Sequence, residues 1–285
     1  MSCAVNSLVV VIGLIGLVTG GQNRNYFCDL PCDNGGRSIM NTVCHRQNSM
    51  CGKGRSCGQD FKVVSLNDDD RQYILDIHNY LRNKVAMGQE RRGGGQPPAA
   101  NMNTLTYNKE LEFVAQCWIN ECHDDILVHD KCRRISKFSW VGQNLANMGS
   151  TDRSELEKVA MLKKLTLGWY DEVEEFHNSW VDSHEQRGVM IGHYTQLVWG
   201  DTKELGCAMS FYSHNDGLYK WYNLKLACNY GPGGNWLGQP VYKAGKPATK
   251  CAGRKPNKRF PGLCGVDVSV NHTKNYHNEF FNYHI

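Results

Sequence analysis

Apolar positions recur at helical spacing in three stretches of the chain. Ile74, Ile77, Leu81 and Val85 are separated by steps of three and four, which places them on one helix face. Asn67 stands in front as a cap, Asp68 to Asp70 occupy the turn where a helix dipole favours acids, and Gly88 follows the end. The pattern predicts a helix over Leu66 to Gly88, followed by a loop, RRGGGQPPAA. A second helix is predicted over Asn108 to Cys122, with Leu111, Val114, Ala115, Trp118 and Ile119 on one side. A third helical stretch runs from Ser154 to Trp180, interrupted near Gly168. Along it Leu156, Val159, Ala160, Leu165, Trp169 and Val173 can face one way. After residue 200 the pattern shortens. Gly206 to Tyr212 and Leu218 to Asn229 read as strands around the turn residues Asn215, Asp216 and Gly217, and Gly231 to Asn235 is a further turn. Gln22 to Asp60 shows neither period and reads as a coil held by cysteines.

Composition decides the compartment. The 285 residues include 13 cysteines, far more than a chain kept in reducing surroundings ordinarily carries. Leu8 to Val18 is an apolar run too short to span a bilayer and ends in small residues, which suits a signal peptide over residues 1–21. Its removal takes Cys3 away and leaves twelve cysteines, enough for six bridges. A formal charge of +4 and a mean hydropathy of -0.51 argue against nucleic acid as a partner and against a polytopic membrane protein. The expectation is a secreted, extracellular monomer. Lys243 to Arg259 holds seven Lys or Arg and no acid, and reads as an extended, loosely docked basic tail. Asn271-His272-Thr273 is an N-glycosylation acceptor in an exposed C-terminal segment.

Four strings then point to a family. His78-Asn79-Tyr80-Leu81-Arg82 is similar to HNxxR, and Val141 to Ala146 (VGQNLA) resembles GENLA. Gly192 to Trp199 (GHYTQLVW) and Cys228 to Trp236 (CNYGPGGNW) resemble the two signatures of the CAP superfamily, the cysteine-rich secretory protein, antigen 5 and pathogenesis-related 1 group. Lys225 stands where an apolar residue is usual. The N-terminal cysteines and Gln96 to Met102 (QPPAANM) resemble the insect antigen 5 branch of venoms and saliva. The resemblance implies an α+β fold, a three-layer α-β-α sandwich. The domains would be a cysteine-rich segment (22–66), the CAP domain (67–242) and a basic C-terminal extension (243–285). It also implies the bridges Cys28–Cys44, Cys32–Cys132, Cys51–Cys122 and Cys207–Cys228. Cys57, Cys117, Cys251 and Cys264 are left open by it; assigned as what remains, Cys57 takes Cys117 and Cys251 takes Cys264.

The same resemblance places His129, Gln143, Glu172 and His193 in a central cleft. Two imidazoles and a carboxylate are suitable ligands for a weakly bound, zinc-like divalent ion, so His129, His193 and Glu172 form the candidate metal set. Gln143 departs from the Glu of other branches. An amide takes up no proton near neutral pH, and its presence removes a charge that would keep the histidines protonated. That weakens hydrolysis, and no catalytic residue is assigned; the bland alternative is a polar network that simply holds the sandwich together. Cys122, His123, His129 and Cys132 look superficially like a zinc knuckle, but thiols in an oxidising compartment are consumed by bridges. No RGD tripeptide occurs.

The leading expectation is therefore an antigen 5-like binding protein that sequesters a small ligand or engages a host partner. The ligand would be hydrophobic (fatty acid, sterol or eicosanoid) or a metal. The basic tail offers an anionic glycan or membrane surface a second contact. The alternatives are a metal-dependent hydrolase or redox enzyme using the His/Glu cleft, and a ligand-free immune or structural partner.

Overall fold

The computed structural model describes residues 24–58, 60–123, 128–267 and 269–270. The expected signal peptide and Asn271 lie outside them. In chain order the elements are α1 (Arg24–Cys28), β1 (Cys32–Asn34), β2 (Arg37–Ile39), α2 (Thr42–His45), β3 (Lys62–Val64), α3 (Asp68–Ala86), β4 (Thr106–Tyr107), α4 (Lys109–Ile119), β5 (Gly142–Ser150), α5 (Lys158–Asp171), α6 (Gly192–Leu197), β6 (Glu204–Asn215) and β7 (Lys220–Gly231). No helix among the described residues is long and apolar enough to cross a membrane.

The two longest strands, β6 and β7, form an antiparallel hairpin that centres the sheet β3-β6-β7-β5, with β4 added in parallel to β6. Side chains alternate across it. Cys207, Met209, Phe211, Leu224, Leu226 and Cys228 face the main core with α3, α5 and α6, while Ala208 and Ala227 face α4. Small residues on the α4 side let that helix lie close. At Gly206 a Cβ would come within 2.3 Å of the Asn108 carbonyl and the Glu112 amide. Behind α4, Phe27 and Val43 of α1 and α2 pack on Leu111 and Val114. The result is the three-layer α+β sandwich, with helices on both faces of the sheet.

Local sequence explains the long helices. Asn67 accepts from the Asp70 amide and Asp70 accepts from the Asn67 amide, both at 2.8 Å, a reciprocal cap on α3. Asn108 caps α4 by accepting from the Glu110 and Leu111 amides. The expected break at Gly168 does not occur; α5 runs through it to Asp171, and shorter turns carry the chain to Trp180. A glycine costs a helix about 1 kcal/mol, and the buried apolar and aromatic side chains on α5, Met161, Leu162, Leu165, Trp169 and Tyr170, outweigh that. Leu156, Leu165, Trp169 and Val173 are core, whereas Val159 and Ala160 of the expected stripe point outward.

A row of buried polar side chains on α3 ties the layers together. Arg82 is fully buried and forms no ion pair among the described residues. Its guanidinium donates to the carbonyls of Asn103 (3.0 and 2.8 Å), Leu197 (2.8 Å), Trp199 (2.9 Å) and Thr202 (3.3 Å). Burial lowers its pKa to about 9, so it stays charged at neutral pH. Asn79 pairs with both backbone groups of Leu105 (3.0 and 2.8 Å). His78 donates from Nδ1 to the Ile74 carbonyl and meets the Tyr230 hydroxyl at 2.9 Å through Nε2. Burial holds its pKa near 4 and the ring neutral.

The six bridges are Cys28–Cys44, Cys32–Cys132, Cys51–Cys117, Cys57–Cys122, Cys207–Cys228 and Cys251–Cys264. Two expected pairs, Cys51–Cys122 and Cys57–Cys117, are thus exchanged. Residues 51–57 run along the end of α4 in the same direction as residues 117–122. The Asn120 side chain donates to the Cys51 carbonyl (2.7 Å), and Gly54 donates to the Asn120 carbonyl (2.7 Å). This register sets Cys51 against the last turn of the helix and Cys57 against the residue beyond it. Cys122 and Cys132 are both oxidised, so no zinc knuckle forms.

The basic C-terminal stretch is also docked more firmly than expected. Phe260 and Leu263 enter the main core, and Arg259 grips Asp76 of α3 at 2.8 and 2.7 Å. Likewise, the cysteine-rich N-terminal segment supplies β3 to the sheet.

Peptide mapping without reduction is expected to recover Cys51 joined to Cys117 and Cys57 joined to Cys122; a Cys51–Cys122 peptide would disprove the register. Replacing Arg82 with Met strands five acceptor contacts, and is expected to cost about 3 kcal/mol or more in denaturant unfolding with the bridges intact.

Candidate functional site

Four elements converge on the cleft. His129 lies on the exposed loop leading to the Cys132 bridge, and Gln143 is the second residue of β5. Glu172 follows the last residue of α5, and His193 is the second residue of α6. They are brought together as two pairs. His193 Nδ1 donates to Glu172 Oε1 at 2.6 Å, while Glu172 Oε2 accepts the backbone amides of His193 (2.9 Å) and Tyr194 (3.1 Å). Glu172 therefore caps the first turn of α6 from the end of α5. Trp169 stacks on the His193 ring at 6.1 Å and donates through Nε1 to the Leu145 carbonyl. Asn144 of β5 donates to the His193 carbonyl (3.0 Å) and to Tyr230 (3.3 Å), the hydroxyl that also meets His78. The cleft is thus bolted to α3 through β5 and β7.

The second pair is a relay. Gln143 Oε1 accepts from His129 Nδ1 (3.0 Å) and the Asp130 amide (3.1 Å), and its Nε2 donates to Asn229 Oδ1 (3.0 Å). Asn229 in turn donates to the Leu111 carbonyl (3.2 Å). Position 143 must accept at one end and donate at the other, which an amide does and a carboxylate does not. The His129 pKa is lowered, first by desolvation and further by the Arg133 guanidinium, against the Gln143 bond that raises it. His129 is therefore neutral at pH 7, and its Nδ1 bond leaves Nε2 unprotonated.

Among the described residues no three His, Cys, Asp or Glu side chains are grouped to hold a metal. Glu172 stands behind His193 with both oxygens occupied, and Gln143 is engaged at both ends. What remains for a ligand is the outer nitrogen of each imidazole, each ring oriented by an acceptor on its other nitrogen. That support is typical of a metal-ligating histidine.

The signature strings mostly build structure. Gln196 Oε1 accepts the Gly234 amide (2.9 Å), and Thr195 donates to Asn235 (2.8 Å), clasping α6 to the turn after β7. Lys225 is buried, with its ammonium on the His123 carbonyl and 5.2 Å from the Tyr212 ring centre. Sequence reasoning missed Trp140 and Trp236, an exposed aromatic pair with centroids 5.0 Å apart beside these strings. Two tryptophans amid Gly, Ser and Asn were the available signal.

A CAP fold with a cleft of two supported imidazoles is the class these observations define. The chain matches the CAP family, described as the cysteine-rich secretory protein family, over residues 75–230, and it belongs to that family. It is 38% identical over 244 residues to venom allergen 5 of Polistes dominula, covering 85% of this chain and 98% of the relative. To venom allergen 5.01 of Dolichovespula maculata it is 41% identical over 239 residues, covering 83% and 96%. Among solved structures it is similar to Na-ASP-1 (TM-score 0.58, 28% identity, 75% of this chain and 50% of that one). It also resembles NaASP2 crystallised with Zn2+ (TM-score 0.54, 29% identity, 73% and 100%). The chain is an antigen 5-like CAP protein.

Replacing Gln143 with Glu is expected to raise the His129 pKa, because a carboxylate beside the ring favours the imidazolium. Titration of the His129 ring by NMR should place the wild type below the usual imidazole range and the variant above the wild type.

Proposed function

We propose that this chain is a secreted, non-catalytic binding protein whose cleft holds a divalent metal ion weakly through the outer nitrogens of His129 and His193. The observation that carries this reading is the occupancy of Glu172. One oxygen takes the His193 ring and the other takes two backbone amides, while position 143 is an amide. Neither group is free to accept a proton from water, and with the outer nitrogens of both imidazoles on the metal the cleft keeps no general base. Both rings are oriented for coordination, and the low pKa of His129 keeps it deprotonated where a ligand must be. The structure of NaASP2 with Zn2+, a relative 29% identical, supports this reading. Six bridges and the venom allergen relatives support the extracellular setting.

A second reading, sequestration of a small hydrophobic ligand, rests on a different site. A cavity of about 720 Å³ lies between α4, β3 and the segment after α2. Val43, Met50, Val63, Leu66 and Phe113 supply its apolar lining, and Lys109 stands among its polar residues. Its size is that of a small-molecule site.

Calorimetric titration of the chelator-free protein with Zn2+ is expected to show one weak site that His129→Ala and His193→Ala each abolish. Affinity should fall as pH drops through the imidazole range. Ester hydrolysis that requires Zn2+ and disappears in His193→Ala would overturn the non-catalytic reading, and absence of Zn2+ binding would overturn the metal reading. A native mass spectrum with an organic adduct unaffected by His193→Ala would move the function to the cavity.

A further inference from the structure

Lys243 to Gly265 carries seven cationic side chains and no acidic one, more than the surplus of four in the entire chain, so the rest of the molecule is net acidic. The stretch lies beyond residues 75–230, the part that matches the family. A charge run of this kind is ordinarily a solvated tail. Here it is built into a platform.

Two sets of hydrogen bonds fix it. Ala100 donates to the Lys243 carbonyl (2.8 Å) and accepts from the Lys250 amide (2.8 Å), while Gly245 donates to Pro98 (2.9 Å). These bonds fold Lys243, Lys246 and Lys250 around one turn. The Cys251–Cys264 bridge closes the next loop, which is anchored by Cys264 on the Met102 carbonyl (2.7 Å) and Asn257 on Thr104 (3.1 Å). Phe260 and Leu263 seat the loop in the core.

The cations divide by role. Arg259 is spent on Asp76 and Asp267 and fastens the loop to α3. Lys243, Lys246, Lys250, Arg254, Lys255 and Lys258 are exposed. Among the described residues, none of these five lysines forms an ion pair. Arg254 donates to the neutral Asn103 amide and keeps its charge uncompensated. Holding six like charges on a fixed scaffold is unfavourable by itself, and a polyanion that meets them pays little ordering entropy.

The surroundings select the kind of polyanion. Phe260 is buried, so the surface offers no exposed aromatic ring on which a nucleic-acid base could stack. The only large apolar side chain exposed here among the described residues is Val266, just past the loop, too little to insert into a bilayer. A water-soluble, linear chain of regularly spaced anions fits, and six disulfides place the protein where such chains are sulfated glycans. We propose that this disulfide-pinned stretch binds a linear sulfated glycan through Lys243, Lys246, Lys250, Arg254, Lys255 and Lys258. The site is independent of the cleft.

The test titrates the full-length secreted protein with a heparin dodecasaccharide at several salt concentrations. Binding is expected to weaken steeply and log-linearly with salt. The combined variant Lys246→Gln, Lys250→Gln, Lys255→Gln, Lys258→Gln should lose affinity on the order of tenfold or more and show a shallower salt slope. A control variant, Lys62→Gln with Lys164→Gln, should bind as the wild type does. Thermal melting of both variants should match the wild type, which separates loss of the site from loss of the fold. Equal losses in both variants would reduce the effect to net charge and overturn the proposal. So would absence of binding to the dodecasaccharide, or binding to phosphatidylserine vesicles in its place.

Discussion

A charged guanidinium that forms no ion pair among the described residues sits at the centre of this fold. Arg82 is sealed from water and solvated only by carbonyl groups from two segments, residues 103 and 197–202. A buried charge of this kind is tolerated only while every donor finds an acceptor. The loop after α3 and the end of α6 are therefore held in one arrangement. Asn79 adds the Leu105 backbone to the same face, and His78 adds Tyr230 of β7. The hydrophobic core gives the sandwich its bulk, but this polar row decides where the loops between its layers must lie.

The cleft inherits its geometry from that row. Tyr230 joins His78 to Asn144, and Asn144 holds the His193 carbonyl, so one chain of contacts leads from inside α3 to the exposed imidazole. Glu172 then acts as an N-terminal cap for α6 and an acceptor for His193 at once. A carboxylate with three donors on two oxygens is a structural part, and this leaves the two outer ring nitrogens as the reactive inventory. The polar network that holds the sandwich together is thus also what orients both imidazoles.

Much of the fold was legible along the chain. Both capped helices could be read from Asn67 and Asn108, because caps and apolar spacing are local features. Gly168 misled for the opposite reason, since a local cost of about 1 kcal/mol was overruled by packing with distant partners. Strand β5 carries Gly142, Asn144 and Asn147 and has little strand character of its own; its pairing with β7 makes it a strand. In the cleft, Gln143 and His193 were legible through family strings and His129 and Glu172 through the wider resemblance, yet the engagement of both Glu172 oxygens was not. That depends on how α5 ends relative to where α6 begins.

Sequence by itself determined the supply of cysteines, the capped helices, the central hairpin and the concentration of positive charge near the C-terminus. Each is a property of composition or of neighbours within a few residues. Tertiary structure alone decided which cysteines meet across residues 51–57 and 117–122. It likewise decided that the basic stretch is a pinned surface and that Glu172 supports His193. These outcomes depend on the register between segments far apart in the chain. Register is set by the summed packing and hydrogen bonding of the whole sandwich, which no local spacing encodes.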